Sequence, residues 1–461
     1  MKRLKIKPIR ETLRKYFPIV LITALAVFLR LYLLEERVSF DADQEEIAFK
    51  AKEILSGNPV LLGPKTSLGG FSIGPGFTYL WAIFAFFLKG NPISGAYLSV
   101  FLGILFIVGI YLVTRKVFSE NVGLILSFIS ALSVSFISWD QNPWAPSLFY
   151  LSEIITFYGI YLSSSKKYGL PIAALGLAIG FQSHFAVFLL ILPVAIYLLI
   201  YRPVVEKKNT ITSFLVLTLS VLPVVIFDLF NGFINLQRLL LIFSLGREGL
   251  TSPVAKIVTT LVSNSTNILW LHFSIPVSRL IFVTTVLYSF WGIFRNKSYR
   301  PLLILSNLFL FIPFFIFLFY KANFSEYYLM TAVIPFLILL GFMFSTIKNK
   351  FVALLILGIF SFLNVKSFIF IYKPMNLHAK EQIVQEIVKM GGESGYGVSL
   401  STELGYGFGY SYIFEYYNAK PDTPPLKNQQ RIFTIVAPSG YRGIEPMMGV
   451  DGIGLRWEGL K

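Results

Sequence analysis

The segment Phe40-Asp41-Ala42-Asp43-Gln44-Glu45-Glu46 gathers four carboxylates directly after the first long apolar run. A carboxylate placed there can take a proton from an attacking hydroxyl, and Asp41 with Asp43 could hold a divalent cation. Plainer readings stand beside these. Asp41 suits the N-cap of a helix over 43–55, with Gln44 three residues on completing a capping box, and Asp43 and Glu46 suit first-turn acids favoured by the helix dipole. The two roles of Asp41 can coexist. Further polar side chains sit at the ends of other apolar runs: Trp139, Asp140, Asn142 and Trp144 in one short segment, Gln182, Ser183 and His184 in the next, then Asp228, and last Lys321, Asn323, Glu326, Tyr327 and Tyr328. Arg30 lies inside the first run, where it either snorkels to the interface or binds a phosphate. A carboxylate at bilayer depth costs on the order of 2 to 3 kcal/mol, so Asp228 is expected at the water boundary or beside a partner.

The elements that must position these residues are membrane spans. The chain has 461 residues, 55% hydrophobic and only 14% charged, a composition of integral membrane proteins. Its net charge of +16 lies in short clusters between apolar runs, which reads as a topology signal rather than a nucleic-acid surface. With no cysteine, thiolate chemistry and disulfides are excluded. The basic segment 1–16 precedes an apolar run without a small-residue cleavage site, so an uncleaved first span is expected.

Stretches long enough for roughly 30 Å of hydrocarbon fall near 17–34, 94–114, 120–138, 146–163, 168–184, 186–202, 210–229, 277–295, 301–320, 327–346 and 351–371. Every second loop is basic, with Arg115 and Lys116, Lys166 and Lys167, Arg202 with Lys207 and Lys208, Arg295 with Lys297 and Arg300, and Lys348 with Lys350. Because short basic loops stay in the cytosol, the N-terminus is expected inside and the carboxylate-bearing loops outside. The short run 77–90 does not fit as a span and is expected to be re-entrant or interfacial. From 375 the composition turns polar, AKEQIVQEIVKMGG reading as a glycine-closed helix and RIFTIVAP as a strand. The expected fold is therefore an all-α polytopic membrane protein of about eleven spans with interfacial helices in a first outer loop (35–93). A small α/β outer domain (375–461) follows the membrane domain (17–374).

This pattern resembles the GT-C superfamily of polytopic glycosyltransferases, close to the protein O-mannosyltransferase and aminoarabinose transferase group, glycosyltransferase family 39. The residues that carry the resemblance are LRLYLL (29–34), FDADQEEIAFKAKEILSG (40–57), GPGFTYLW (74–81), the span ending Arg115-Lys116-Val117-Phe118, and the short second outer loop. The family commonly has Asp-Glu where this chain has Asp41-Ala42-Asp43, and a Leu-Pro-Asp segment where it has Asn142-Pro143-Trp144. The resemblance implies an inverting transferase that moves a sugar from a polyprenyl-phosphate donor to an acceptor hydroxyl at the outer membrane face. It implies Asp41 as general base, with Asp43 secondary and Asp140 the nearest substitute for a second carboxylate. Substrate contacts are expected from Arg30, Asp43, Trp139, Asp140, Asn142, Trp144, His184, Asp228, Lys321, Glu326 and Tyr327. Arg30, Lys321 and His184 are the expected stabilisers of the departing phosphate. No cofactor is certain, and a divalent cation on Asp41, Asp43 and His184 stays open. The partners implied are the lipid-linked donor, membrane lipids and an unidentified acceptor, without nucleic acid. A transporter or flippase is the competing reading, although transporters place polar residues near the midplane; a scaffold and an O-antigen ligase or polymerase are further rivals.

Overall fold

A computed structural model describes residues 9–67, 69–241, 254–320, 325–392, 395–424 and 431–459, with side chains from Tyr16 onward. Each of the eleven expected stretches falls on helix. Among the described residues six helices are long and apolar enough to cross a membrane: Ser94–Val117, Lys207–Phe230, Ile275–Arg295, Arg300–Leu318, Glu326–Thr346 and Lys350–Ile369. The pair Glu120–Leu132 and Val134–Asp140 passes the same length and apolarity test together and is bent by 62°. Shorter apolar helices, Tyr16–Leu31, Gly76–Phe87, Gly169–Phe181 and Val187–Tyr201, accompany them. Gly169–Phe181 has only 13 residues, about 20 Å of rise, and Pro146–Ser163 carries Glu153 in its middle.

The bend has a local cause. Ser133 is extended (φ −58, ψ 121), so the ladder breaks there and the second half starts afresh, with Asn364 Oδ1 accepting from the Val134 N–H at 3.0 Å. Carbonyls released by such a break need donors, because hydrocarbon supplies none. Arg30 provides them, donating to Ala131 O at 3.0 Å and Ser130 O at 3.1 Å.

At the centre of the bundle lies Val333–Thr346, whose residues from Val333 to Phe342 are all buried. Lys207–Phe230 and Lys350–Ile369 are mostly exposed and form its periphery. Close approach of Pro146–Ser163 and Gly169–Phe181 depends on small residues: a Cβ on Gly176 would stand 2.3 Å from Thr156 Oγ1. The loops 164–168 and 202–206 meet through Lys167 and Glu206, which puts two of the basic clusters at one end.

The short run 77–90 is the helix Gly76–Phe87, packed against Ala42–Leu55. After the last span comes Leu377–Gly391, closed by Gly392 at φ 63. A sheet follows, with β1 (Gly397–Thr402), β2 (Ile432–Ala437), β3 (Met448–Val450) and β4 (Ile453–Glu458) in the order β1-β2-β4-β3. Only β1 and β2 run parallel. The C-terminal helices share one buried cluster with Val38, Phe40, Ile47 and Trp81, so this domain sits on the acidic loop.

Candidate active site

The helix Ala42–Leu55 starts after Asp41, whose N–H donates to Gln44 Oε1 at 3.0 Å. The Asp41 carboxylate is engaged from the C-terminal domain: Lys380 Nζ donates to Asp41 Oδ1 at 2.7 Å, to Phe40 O at 2.7 Å and to Phe408 O at 2.9 Å. The Lys380 side chain is fully buried, and these acceptors use all three protons of its ammonium. Gly409, at φ 93, lies so close to the loop that a Cβ there would meet Phe40 O at 2.1 Å. Glu45 Oε1 accepts from the Tyr412 N–H at 3.0 Å, and Glu415 pairs with Lys52. The acidic helix is therefore clamped to the C-terminal domain at several points.

Asp43, rather than Asp41, opens onto a cavity of about 230 Å³ lined also by Pro64, Lys65, Ser67, Trp144, His184 and Tyr327. Burial, and the neighbouring charges of Glu46 and Asp41, push the Asp43 carboxyl above its ordinary value. His184 lies in the loop between Gly169–Phe181 and Val187–Tyr201, with Nδ1 accepting from the Ala186 N–H at 3.2 Å. That bond places the proton of the neutral ring on Nε2. Burial lowers the His184 pKa to about 3, so its imidazole stays uncharged.

Lys65 reaches the cavity from the loop before Gly76–Phe87 and, among the described residues, has no ion-pair partner. Its loop is fixed at both ends. Ser67 Oγ bonds the hydroxyls of Tyr327 (2.8 Å) and Tyr328 (3.0 Å). Gln182 bridges the Gly76 N–H (2.8 Å) and Ser220 O (2.6 Å), and a Cβ on Gly74 would run into its amide at 2.3 Å.

Trp144 and Tyr327, edge to face at 5.4 Å, separate this cavity from a second one of about 420 Å³. Its walls include Trp139 and Tyr150, stacked at 5.3 Å, together with Glu326 and the polar face of Val254–Thr266.

The remaining expected site residues are placed elsewhere. Arg30 does not snorkel: it is fully buried, and its Nε donates to Asp140 Oδ2 at 2.7 Å. Every nitrogen of its guanidinium is engaged. Asp140 is thereby committed too, and Gly103 makes room for it, since a Cβ there would meet its carboxylate at 2.2 Å. Asp228 is buried and caps the helix Ile234–Leu241, accepting from Asn235 N at 2.8 Å and Leu236 N at 3.0 Å. Asn142 lines neither cavity. Lys321 and Asn323 lie outside the described residues. Among the described residues no three His, Asp or Glu side chains gather to hold a metal ion, so Asp41, Asp43 and His184 do not form a ligand set.

Sequence reasoning overlooked Lys65 and Lys380. Lys380 had a signal: with Ile383, Val384 and Ile387 it falls on the buried stripe of its helix at i, i+3, i+4 and i+7.

Residues 72–227 match the family model described as dolichyl-phosphate-mannose-protein mannosyltransferase. The matched region contains Trp144 and His184 and begins after Asp41, Asp43 and Lys65. No curated protein sequence matches the chain. Its fold is similar to the crystal structure of ArnT from Cupriavidus metallidurans bound to undecaprenyl phosphate, with TM-score 0.58 and 10% identity over 92% of this chain and 93% of that one. It is also similar to the archaeal oligosaccharyltransferase AglB from Archaeoglobus fulgidus in complex with an inhibitory peptide and a dolichol-phosphate. There the TM-score is 0.53 and the identity 13%, over 93% of this chain and 70% of that one.

Proposed function

We propose that this chain, a multi-pass membrane protein of the GT-C glycosyltransferase fold, moves a sugar from a polyprenyl-phosphate donor to an acceptor hydroxyl at the outer face of the membrane. The observation that carries the reading is the first cavity, where a carboxylate, a lysine with no ion-pair partner among the described residues and a neutral imidazole converge between aromatic walls. The bundle's likeness to two structures that hold polyprenyl-phosphate lipids supports the donor class. The acidic loop and the C-terminal domain share one end. The basic loops between the spans orient that end outward by the positive-inside rule. Nucleotide sugars are cytosolic, so a lipid-linked donor suits a site facing away from the cytosol.

In this scheme the base is Asp43. The acceptor oxygen attacks the anomeric carbon and its proton passes to Asp43. The bond from that carbon to the phosphate oxygen breaks on the opposite face, with inversion, and its electron pair leaves on the polyprenyl phosphate. Lys65 supplies the positive charge that the leaving phosphate needs. His184 contributes a hydrogen bond through Nε2–H, because its ring is neutral. Asp41 is a positioning residue, held by Lys380 so that the first turn of Ala42–Leu55 presents Asp43 to the cavity.

Purified protein incubated with a panel of radiolabelled polyprenyl-phosphate sugars is expected to release polyprenyl phosphate from at least one of them. Lys65→Ala is expected to slow that release about a hundredfold, in the range set by loss of one group that stabilises developing charge. Release from none of the panel would reject the donor class, and an unchanged rate in Lys65→Ala would reject the role of Lys65.

A further inference from the structure

The second cavity has a chemistry distinct from the first. It is lined by Thr259, Thr260, Ser263, Asn264 and Asn267, which recur at helical spacing and form one face of Val254–Thr266 and the turn after it. Asn264 Nδ2 donates to Glu326 O at 2.9 Å, which ties this face to the segment carrying Tyr327. Among the described residues the hydroxyls of Thr259, Thr260 and Ser263 and the Glu326 carboxylate make no hydrogen bond within the protein. Opposite lies an aromatic wall, Trp139 stacked on Tyr150. Among the described residues no lysine or arginine lines the cavity.

From this we infer that the second cavity seats a saccharide ring of the acceptor, an uncharged polyhydroxylated ligand. The inference rests on the transferase reading above and names its acceptor class. Free hydroxyls, amides and one carboxylate give a ring of alternating hydroxyls donors and acceptors at several positions, and the indole face packs against its C–H side. A phosphorylated or otherwise anionic acceptor finds no cation among the described lining residues to replace its hydration. Position completes the case: the two cavities share Trp144, Pro146 and Tyr327. A ring held against Trp139 can therefore extend one hydroxyl past the Trp144–Tyr327 pair toward Asp43.

The test uses the purified full-length chain, a panel of polyprenyl-phosphate hexoses, and two acceptor sets, neutral oligosaccharides and serine/threonine peptides. Donor consumption without acceptor is followed in parallel. Glycosylated oligosaccharide is expected, with a KM for the oligosaccharide raised at least tenfold in Thr260→Val/Ser263→Ala, as loss of two hydrogen bonds implies. Donor consumption with transfer to peptides and none to oligosaccharides would overturn the inference while leaving the transferase reading intact. So would an oligosaccharide KM unmoved in the double variant. If no donor is consumed under any condition the transferase reading fails, and this inference with it.

Discussion

Lys380→Met is the perturbation whose outcome the geometry fixes best. The substitution keeps the length of the side chain in a fully buried position and removes the charge that bonds Asp41, Phe40 and Phe408. Breaking a buried ion pair by deleting one partner costs about 3 to 5 kcal/mol. The Asp41 side chain is 45% exposed and regains water, so the lower end applies, about 3 kcal/mol. That loss falls on the contact between the C-terminal domain and the acidic loop, since both carbonyls bonded by Lys380 flank it. Limited proteolysis is expected to cut the mutant faster near Phe408, and misplacement of Asp43 by about 1 Å is expected to lower kcat on the order of a hundredfold. Because the pair orients the base and does not bind donor, the donor KM is expected to change little. Lys380→Arg, which keeps the charge, is expected to recover part of the loss. A folded Lys380→Met protein with the kcat of the original chain would refute the argument that Lys380 positions the catalytic loop.

Other consequences concern neighbouring parts of the fold. Arg30→Met leaves Asp140 buried without its partner and two carbonyls of the broken helix without donors, so a loss of about 3 to 5 kcal/mol in stability is expected, read as a lower thermal unfolding midpoint in detergent. An unchanged midpoint would mean that the bend is satisfied in another way. Asp228→Ala removes the cap of Ile234–Leu241 and is expected to cost about 1 to 2 kcal/mol, with donor KM unchanged; a large rise in donor KM would return Asp228 to a binding role. The pH profile tests the acid limb. Asp43 must be ionised to act, and its pKa is raised by burial, Glu46 and Asp41, so activity is expected to rise with pH through a value above that of an ordinary aspartate. Asp41→Asn removes one raising charge, and the limb is expected to move to lower pH; a shift to higher pH would contradict the coupling.

Much of the architecture was readable because membrane spans leave a coarse signal. The eleven apolar stretches, the short apolar helix Gly76–Phe87 and the strand at Ile432–Ala437 all follow from hydropathy and periodicity. Helix length was less readable. A run such as 168–184 reads as one continuous helix in a sliding window, yet its helix ends at Phe181 and leaves Gln182 and His184 to the loop. Polar residues at span ends were the hardest to sort, because one sequence feature serves a cap, a buried pair or a cavity wall. Asp228 proved to be a cap, Arg30 and Asp140 a buried pair, and Trp144, His184 and Tyr327 cavity walls. Asp41 and Asp43 stand two residues apart at the start of one turn and face different sides of it, Asp41 toward Lys380 and Asp43 toward the first cavity. Their separation depends on Lys380, 339 positions away in the chain, and no local pattern contains that contact.

In the proposed mechanism Asp43 takes the proton and Asp41 holds the loop. The direct measurement is release of polyprenyl phosphate by Asp43→Asn and Asp41→Asn proteins, each first shown to be folded and to bind the lipid donor. Asp43→Asn is expected to lose activity by about a thousandfold, within the range for a general base, while Asp41→Asn keeps measurable turnover. The reverse pattern, with Asp43→Asn active and Asp41→Asn dead, would contradict it.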